Sequence, residues 1–295
     1  MNKFTLCFRV SLCLLPLAWN LPAAAEDRFD HIEVTTQKLT DNIYMLTVSG
    51  GNIGLSVGPD GILMIDDQYA PMAPKIKAAI AELGDGAPAY LRNTHFHGDH
   101  TGGNATFGTN SLIIAHENVR ARLTSGVEPA AKAALPVITY SDRASIYFND
   151  EAIQLIHMPA GHTDSDTYVY FKDSNVIHLG DHFFSNRFPF VDLDRGGSVE
   201  GLMRGIEHAV SLCDANTQII PGHGTLSNTE DLLRYQEMLH TTSQRVKTDI
   251  ARGKTLEQIL AAGLSEVWVS WAWQFINEER WIRTLHRSYA SAESK

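Results

Sequence analysis

The sequence predicts an α+β protein, a four-layer αββα sandwich with two sheets packed face to face beneath helices on both outer faces. Three observations carry this. Short β-branched or aliphatic runs, closed by Gly, Asn or Asp, lead into helical stretches, and this succession occurs twice along the chain. No low-complexity linker separates the two successions, so a single domain over residues 26–295 is expected. Several apolar runs also deliver an imidazole or a carboxylate into a glycine-containing loop directly after they end.

The first succession reads as strands over His31–Lys38, Ile43–Val48, Ile53–Val57 and Gly61–Ile65. A helix follows over Pro74–Leu83, where Ile76, Ala79, Ile80 and Leu83 share one side. Ala89–Arg92 is a short buried strand that runs into the His-rich segment Asn93–Asn104, and Ser111–Ala115 precedes a helix from His116 to Leu123. The loop Thr124–Val137, with Gly126, Pro129 and Pro136, is placed to border a site. The second succession has strands at Ser145–Phe148, Ile153–His157, Thr167–Phe171 and Val176–Leu179, a helix over Ser198–Leu212 and a strand at Gln218–Ile220. Ser227–Ala251 is a long helix opened by Ser-Asn-Thr-Glu-Asp. The tail from about residue 265 is aromatic, with Trp268, Trp271, Trp273, Phe275 and Trp281; it reads as one or two helices packed on the sandwich, or as an apolar substrate wall. Beyond Ala290 the chain reads as disordered.

Residues 1–25 are a different object. Lys3 and Arg9 make a basic start, Val10–Leu17 is apolar, and Ala23-Ala24-Ala25 places small residues where a signal peptidase cuts. The apolar run is far shorter than the roughly 20 residues a membrane span needs. A cleaved secretory signal is expected, with Glu26 opening the mature chain and the periplasm as destination. Cys7 and Cys13 leave with it, so Cys213 remains alone, without an internal disulfide partner, and reads as an inert thiol at a helix end. The formal charge of −10 argues against nucleic-acid or anionic-membrane binding and leaves a small molecule as the expected partner.

The strongest chemical signal is Asn93-Thr94-His95-Phe96-His97-Gly98-Asp99-His100-Thr101-Gly102-Gly103. His95 and His97 alternate and project to one side of an extended backbone, while Asp99 and His100 follow where the chain turns and aim at a second ion. Imidazole with carboxylate and no thiolate suits zinc, iron or manganese rather than copper(I) or an iron–sulfur cluster. His162 in Gly161-His162, Asp181 in Gly180-Asp181 and His223 in Gly222-His223 each follow an apolar strand and complete the donor set. His31, His116, His208, His240 and His286 read as surface or packing residues; His157, His178 and His182 lie close enough to support ligands.

His95-x-His97-x-Asp99-His100, Gly161-His162, Gly180-Asp181 and Gly222-His223, spread over Ile43–Leu239, resemble the ligand order of the metallo-β-lactamase superfamily. The resemblance implies His95, His97 and His162 on one ion, Asp99, His100 and His223 on the other, and Asp181 bridging both. It also implies that Asp66 is a buried carboxylate supporting the ligand loop. Zinc β-lactamases of the commonest subclass carry cysteine where Asp181 stands, whereas glyoxalase II, lactonases and phosphodiesterase-like members share the bridging aspartate.

A pair of zinc ions generates a hydroxide near neutral pH, and Asp99 is the residue expected to orient it and move its proton. The expected activity is hydrolysis of a small ester, lactone, thioester or β-lactam. A persulfide dioxygenase resembles the same motif but binds one iron through residues matching His95, His162 and Asp181. A periplasmic metal-binding protein without activity is the non-enzymatic alternative, distinguished by a saturated rather than an open site.

Overall fold

The structure is a computed structural model that describes residues 29–125 and 129–290. The expected signal segment 1–25, Gly126 and the tail beyond Ala290 lie outside the described residues.

The first half forms β1 (Thr35–Lys38), β2 (Ile43–Thr47), β3 (Ile53–Gly58), β4 (Gly61–Ile65), α1 (Ala73–Ala81) and β5 (Tyr90–Arg92). Two one-turn helices follow, α2 (Gly98–Thr101) and α3 (Asn104–Phe107), then β6 (Leu112–His116), α4 (Glu117–Thr124) and β7 (Ile138–Tyr140). These strands make a seven-stranded sheet in chain order. It is antiparallel from β1 to β4 and parallel from β4 to β7, with Met64 opposite Leu91 and Leu91 opposite Ile113.

The second half forms β8 (Arg143–Phe148), β9 (Glu151–His157), β10 (Thr167–Phe171), β11 (Val176–His178), α5 (Val199–Leu212), β12 (Gln218–Ile220) and β13 (Ser227–Asn228). Helices α6 (Thr229–Ala251), α7 (Leu256–Ala262), α8 (Glu266–Val269) and α9 (Glu278–Ala290) complete it. The second sheet runs β13-β12-β11-β10-β9-β8, and only β11 and β12 are parallel, joined by the α5 crossover.

The period-2 geometry of the strands explains why their apolar runs are nearly continuous. In β4, Leu63 and Ile65 enter the core between the sheets, while Ile62 and Met64 turn outward to α1. In β10, Val169 and Phe171 face the other sheet and Tyr168 faces α5 and α6. Both faces of each sheet are covered, so neither leaves a polar face in its central strands. The α1 face contributes Met72, Ala73, Ile76 and Ile80; the opposite layer contributes Leu202, Ile206, Leu232, Leu239, Trp281 and Leu285.

The expected four layers are therefore present, with local corrections. Residues 31–34 are not strand, because the pairing of β1 with β2 begins only at Thr35 opposite Thr47. Ser227 and Asn228 pair with β12 before the long helix starts at Thr229, where Asn228 and Asp231 form a capping box. Helix α7, opened by a Thr255–Gln258 capping box, was not expected. The aromatic tail divides: Trp268, Trp271 and Trp281 are buried in the core, and the Trp281 indole N–H donates to Thr242 Oγ1 of α6. Trp273 and Phe275 instead line a cavity beside His223.

Candidate metal centre

The strands β4, β5, β9, β11 and β12 all end at one edge of the sandwich, and each is followed by a polar residue of the centre. After β5 the chain does not stay extended but bends through Thr94–His97, and the bends bring the His95 and His97 rings to 4.8 Å. The α2 turn then carries Asp99 and His100 back over them. A buried amide pair locks this loop: Asn93 and Asn104 donate to each other at 3.0 Å, and Asn93 also donates to the His100 carbonyl. The turn before it is strained, since Asp66 and Gln68 both sit at φ 63°.

Asp66 is completely buried and accepts three bonds of 2.7 Å, from Thr94 N–H and Oγ1 and from His100 Nδ1. The expected supporting carboxylate is thus in position. With Nδ1–H committed to Asp66, His100 presents Nε2, which lies 3.1 Å from Asp181 Oδ1. The Thr94 hydroxyl gives its proton to Asp66 and accepts from His95 Nδ1, leaving His95 Nε2 as the free donor atom. His162 Nδ1 donates to the Phe190 carbonyl at 2.7 Å, and its Nε2 lies 3.5 Å from Asp181 Oδ2 and 2.9 Å from His97 Nδ1. His97 Nε2 donates to Asp192 at 3.0 Å. His223 Nε2 reaches Asp181 at 3.3 Å and Asp99 at 3.4 Å.

All seven predicted donors therefore converge. His95, His97, His162 and Asp181 form one group and Asp99, His100 and His223 another, with donor atoms within 4.8 Å of one another in each. Asp181 belongs geometrically to the first but touches two members of the second. Close backbone approach shapes the centre: a Cβ on Gly222 would collide with Asp181 Oδ1, and one on Gly51 would collide with the His100 ring.

The residues fit a bound cation. Nε2 of His95 is buried without a hydrogen-bond partner, and Nε2 of His100 faces Oδ1 of Asp181 at 3.1 Å in an alignment too poor for a hydrogen bond, so three buried ligand atoms are left unsatisfied, which folded proteins rarely tolerate. Charge points the same way. Burial lowers the His95 imidazole well below its ordinary value and takes His162 to about 4, so both are neutral lone-pair donors. Burial would raise the Asp99 and Asp181 carboxyls, but the facing histidines outweigh it, holding Asp99 at about 2 and Asp181 well below its ordinary range. His100 and His223 are pulled upward by those same carboxylates, His223 to about 9. Their protons supply the positive charge that a divalent cation supplies in exchange.

Other expectations resolve around this core. His182 lies behind Asp181, bonded to Tyr168 and Asp166, and Asp166 in turn holds Thr163 beside His162. His178 accepts from Gly180 N–H and so braces the turn carrying Asp181. His157 instead stacks on His116 at 3.6 Å, and both are packing residues. Cys213 caps α5, half-buried, and burial pushes its thiol up to about 11.

Asp192, the partner of His97, carries no signal of its own in the sequence. It sits among Val191, Leu193 and Asp194 with no motif around it, and the only available signal was that a ligand histidine needs an acceptor for its second N–H.

The centre opens into a cavity of about 620 Å³. Its walls include Thr47–Gly50 of the β2–β3 turn, Tyr69, Phe184, Arg187, Trp273 and Phe275; the described part of the 124–137 loop is not among them. Phe184 stacks on the His223 ring at 5.1 Å and 7°, fixing that imidazole.

Comparison with known proteins agrees with this architecture. The model of the metallo-beta-lactamase superfamily matches residues 46–223, more than half of the chain. A hydroxyacylglutathione hydrolase of Nitrosococcus oceani is 30% identical over 140 residues, 46% of this chain and 48% of that protein. The match thus spans about half the length of that relative. Among solved structures, a metallo-beta-lactamase from Pontibacter korlensis superposes with a TM-score of 0.60 at 14% identity, over 70% of this chain and 99% of that one. A double mutant of the sec-alkyl sulfatase PisA1 gives 0.68 at 14% identity, over 87% of this chain and 50% of that one. At these identities the two structures speak for the fold, and the family match speaks for descent. The chain belongs to the metallo-beta-lactamase superfamily.

Proposed function

We propose that the protein is a hydrolase that holds two divalent ions, zinc by donor preference, and cleaves a small ester, lactone, thioester or β-lactam. The observation that carries this is Asp181, whose two oxygens lie within reach of donors from both groups, 3.1 Å from His100, 3.3 Å from His223 and 3.5 Å from His162. In this reading His95, His97 and His162 hold one ion, Asp99, His100 and His223 hold the other, and Asp181 is shared. Bound ions supply Lewis acidity and a water that is acidic near neutral pH.

The chain's own residues do the rest. Asp99 is ionised, faces the cavity and is the carboxylate placed to orient a water and to pass a proton to the leaving group. Asp66 and Asp192 fix the rings of His100 and His97. Phe184, Phe190 and Trp273 exclude bulk water from one side of the cavity. Aspartate at position 181, and a relative that carries the name hydroxyacylglutathione hydrolase, favour esters and thioesters over lactams.

Elemental analysis of the purified mature chain, followed by a screen of esters, lactones, thioesters and β-lactams, tests the proposal. About two zinc per chain and turnover of one class support it. One iron per chain with oxygen uptake on a persulfide would move the assignment to the dioxygenase, and a loaded chain that turns over nothing would favour a metal-binding protein. We also propose export through the segment 1–25, checked by the N-terminal residue of the protein recovered from a periplasmic extract; Glu26 is expected. No helix among the described residues is long and apolar enough to cross a membrane.

A further inference from the structure

Two cavity residues take no part in the donor cluster. The Arg187 guanidinium lies over the Trp273 ring, 5.1 Å from its centroid. Trp273 is held in place by its indole N–H, which donates to the Phe188 carbonyl at 2.9 Å, and by the Phe275 ring at 5.6 Å. Its own ring lies 6.0 Å from that of His223, so a single indole separates the cation from the donor cluster.

What distinguishes Arg187 is its place: it is the arginine that lines the cavity of the donor cluster, whereas Arg280, which lies over the Phe275 and Phe190 rings, is not among the lining residues. Arg122, Arg195, Arg245, Arg283 and Arg287 each pair with a carboxylate. Arg187 is half-buried in the cavity wall, its pKa is lowered by desolvation, and it makes no ion pair among the described residues. Withdrawing a charge from water without a counter-charge costs free energy. The overall charge of −10 also repels anions at long range, so an anionic ligand would need a local cation to be held. Around the guanidinium the wall is aromatic, from Phe184, Phe190, Trp273 and Phe275, and Phe275 remains 46% exposed. Trp273 and Phe275 lie beyond residue 223, where the family match ends, while Phe184, Arg187 and Phe190 lie within it.

We propose that Arg187 and Trp273 form the specificity site of the cavity and select a carboxylate-bearing substrate with an apolar body. The proposal rests on the hydrolase reading and deepens it. The planar fork of Arg187 matches a carboxylate through two parallel N–H donors, the stack on Trp273 keeps the fork oriented, and the aromatic wall takes the apolar remainder.

The test uses the zinc-loaded chain and two matched esters, mono-4-nitrophenyl glutarate and 4-nitrophenyl butyrate. Wild type is expected to prefer the glutarate ester. Arg187→Gln is expected to raise KM for that ester about 10- to 100-fold, the value of a lost charge-assisted pair, and to cost the butyrate ester at least tenfold less. Binding is read separately as the change in tryptophan fluorescence on titration with glutarate and with neutral glutaramide; Trp273→Phe identifies the responding indole. Glutarate should bind wild type more tightly than Arg187→Gln, while glutaramide should not distinguish them. Equal handling of charged and neutral ligands by wild type, or an equal loss on both in the variant, would overturn the assignment. If neither ester is cleaved, the hydrolase reading suffers alone, and the fluorescence titration still decides the role of Arg187.

Discussion

Asp66 Oδ2 and His100 Nδ1 lie 2.7 Å apart, and neither side chain is exposed to solvent. That bond fixes the tautomer of His100 and aims Nε2 into the centre. Asp66 also holds the backbone of Thr94, so one carboxylate orients both ends of the His95–His100 segment.

Asp66→Ala is therefore expected to weaken metal binding by 10- to 100-fold, the usual cost of losing such a partner. It should also destabilise the fold by about 3 kcal/mol or more, because Thr94 N–H and the His100 ring are left buried without an acceptor. Chelator competition and denaturant unfolding measure the two effects. Unchanged metal affinity would place Asp66 in the fold alone.

Asp99→Ala should lose turnover by orders of magnitude while its circular dichroism stays that of the wild type. The Asp99 side chain is only 18% exposed, but it faces the cavity and packs no core, so its loss touches the centre and not the sandwich. Normal turnover in this variant would remove Asp99 from the mechanism.

Chelation should lower the thermal midpoint. A ligand present at 100 times its dissociation constant stabilises the native state by about 2.7 kcal/mol, and that contribution disappears with the ion. Scanning calorimetry with and without EDTA reads the difference; identical midpoints would argue against a bound ion.

Asp249 offers a pH test away from the centre. Lys254 at 2.7 Å and Arg245 at 2.9 Å hold its carboxyl below the ordinary range. A carboxyl lowered in the folded state contributes stability that is complete above its unfolded pKa, about 3.9, and is lost as pH falls through the folded value. The midpoint difference between wild type and Asp249→Asn should accordingly be largest near pH 6 and shrink towards pH 3. A difference that grows on acidification would contradict the ion pairs.

Cys213 should alkylate slowly at pH 8, because its thiol titrates at about 11 and little thiolate forms there. Iodoacetamide labelling followed by mass spectrometry should show the rate rising with each step in pH up to that value. Rapid labelling at pH 7 would mean that Cys213 is more open than its place at the end of α5 implies.

The sequence made the donors legible because each follows an apolar strand directly, so the sheet edge could be read from residue order. Asp66 was legible for the same reason, standing immediately after Ile65. Asp192 was not, because it lies on an irregular loop that only the fold brings to His97. Helix α7 was hidden by its length of seven residues and by a single buried side chain, Ile259, too little to make a periodic stripe. The tail showed its aromatic content but not its division. Trp281 meets Thr242 of α6, whereas Trp273 meets the cavity, and that difference is set by packing across the fold rather than by spacing along the chain.

His95, His97, Asp99 and His100 come from the loop after β5 in one sheet, while His162, Asp181 and His223 come from loops of the other. An ion held between them would join segments far apart in sequence, as a covalent cross-link does. To gather the same donors the unfolded chain would have to close long loops at an entropic cost that the assembled sandwich has already met, so the benefit would fall to the folded state. The seam between the sheets would then resist prying apart most strongly where the chemistry takes place, and proteolysis of the loaded chain would be expected to begin elsewhere.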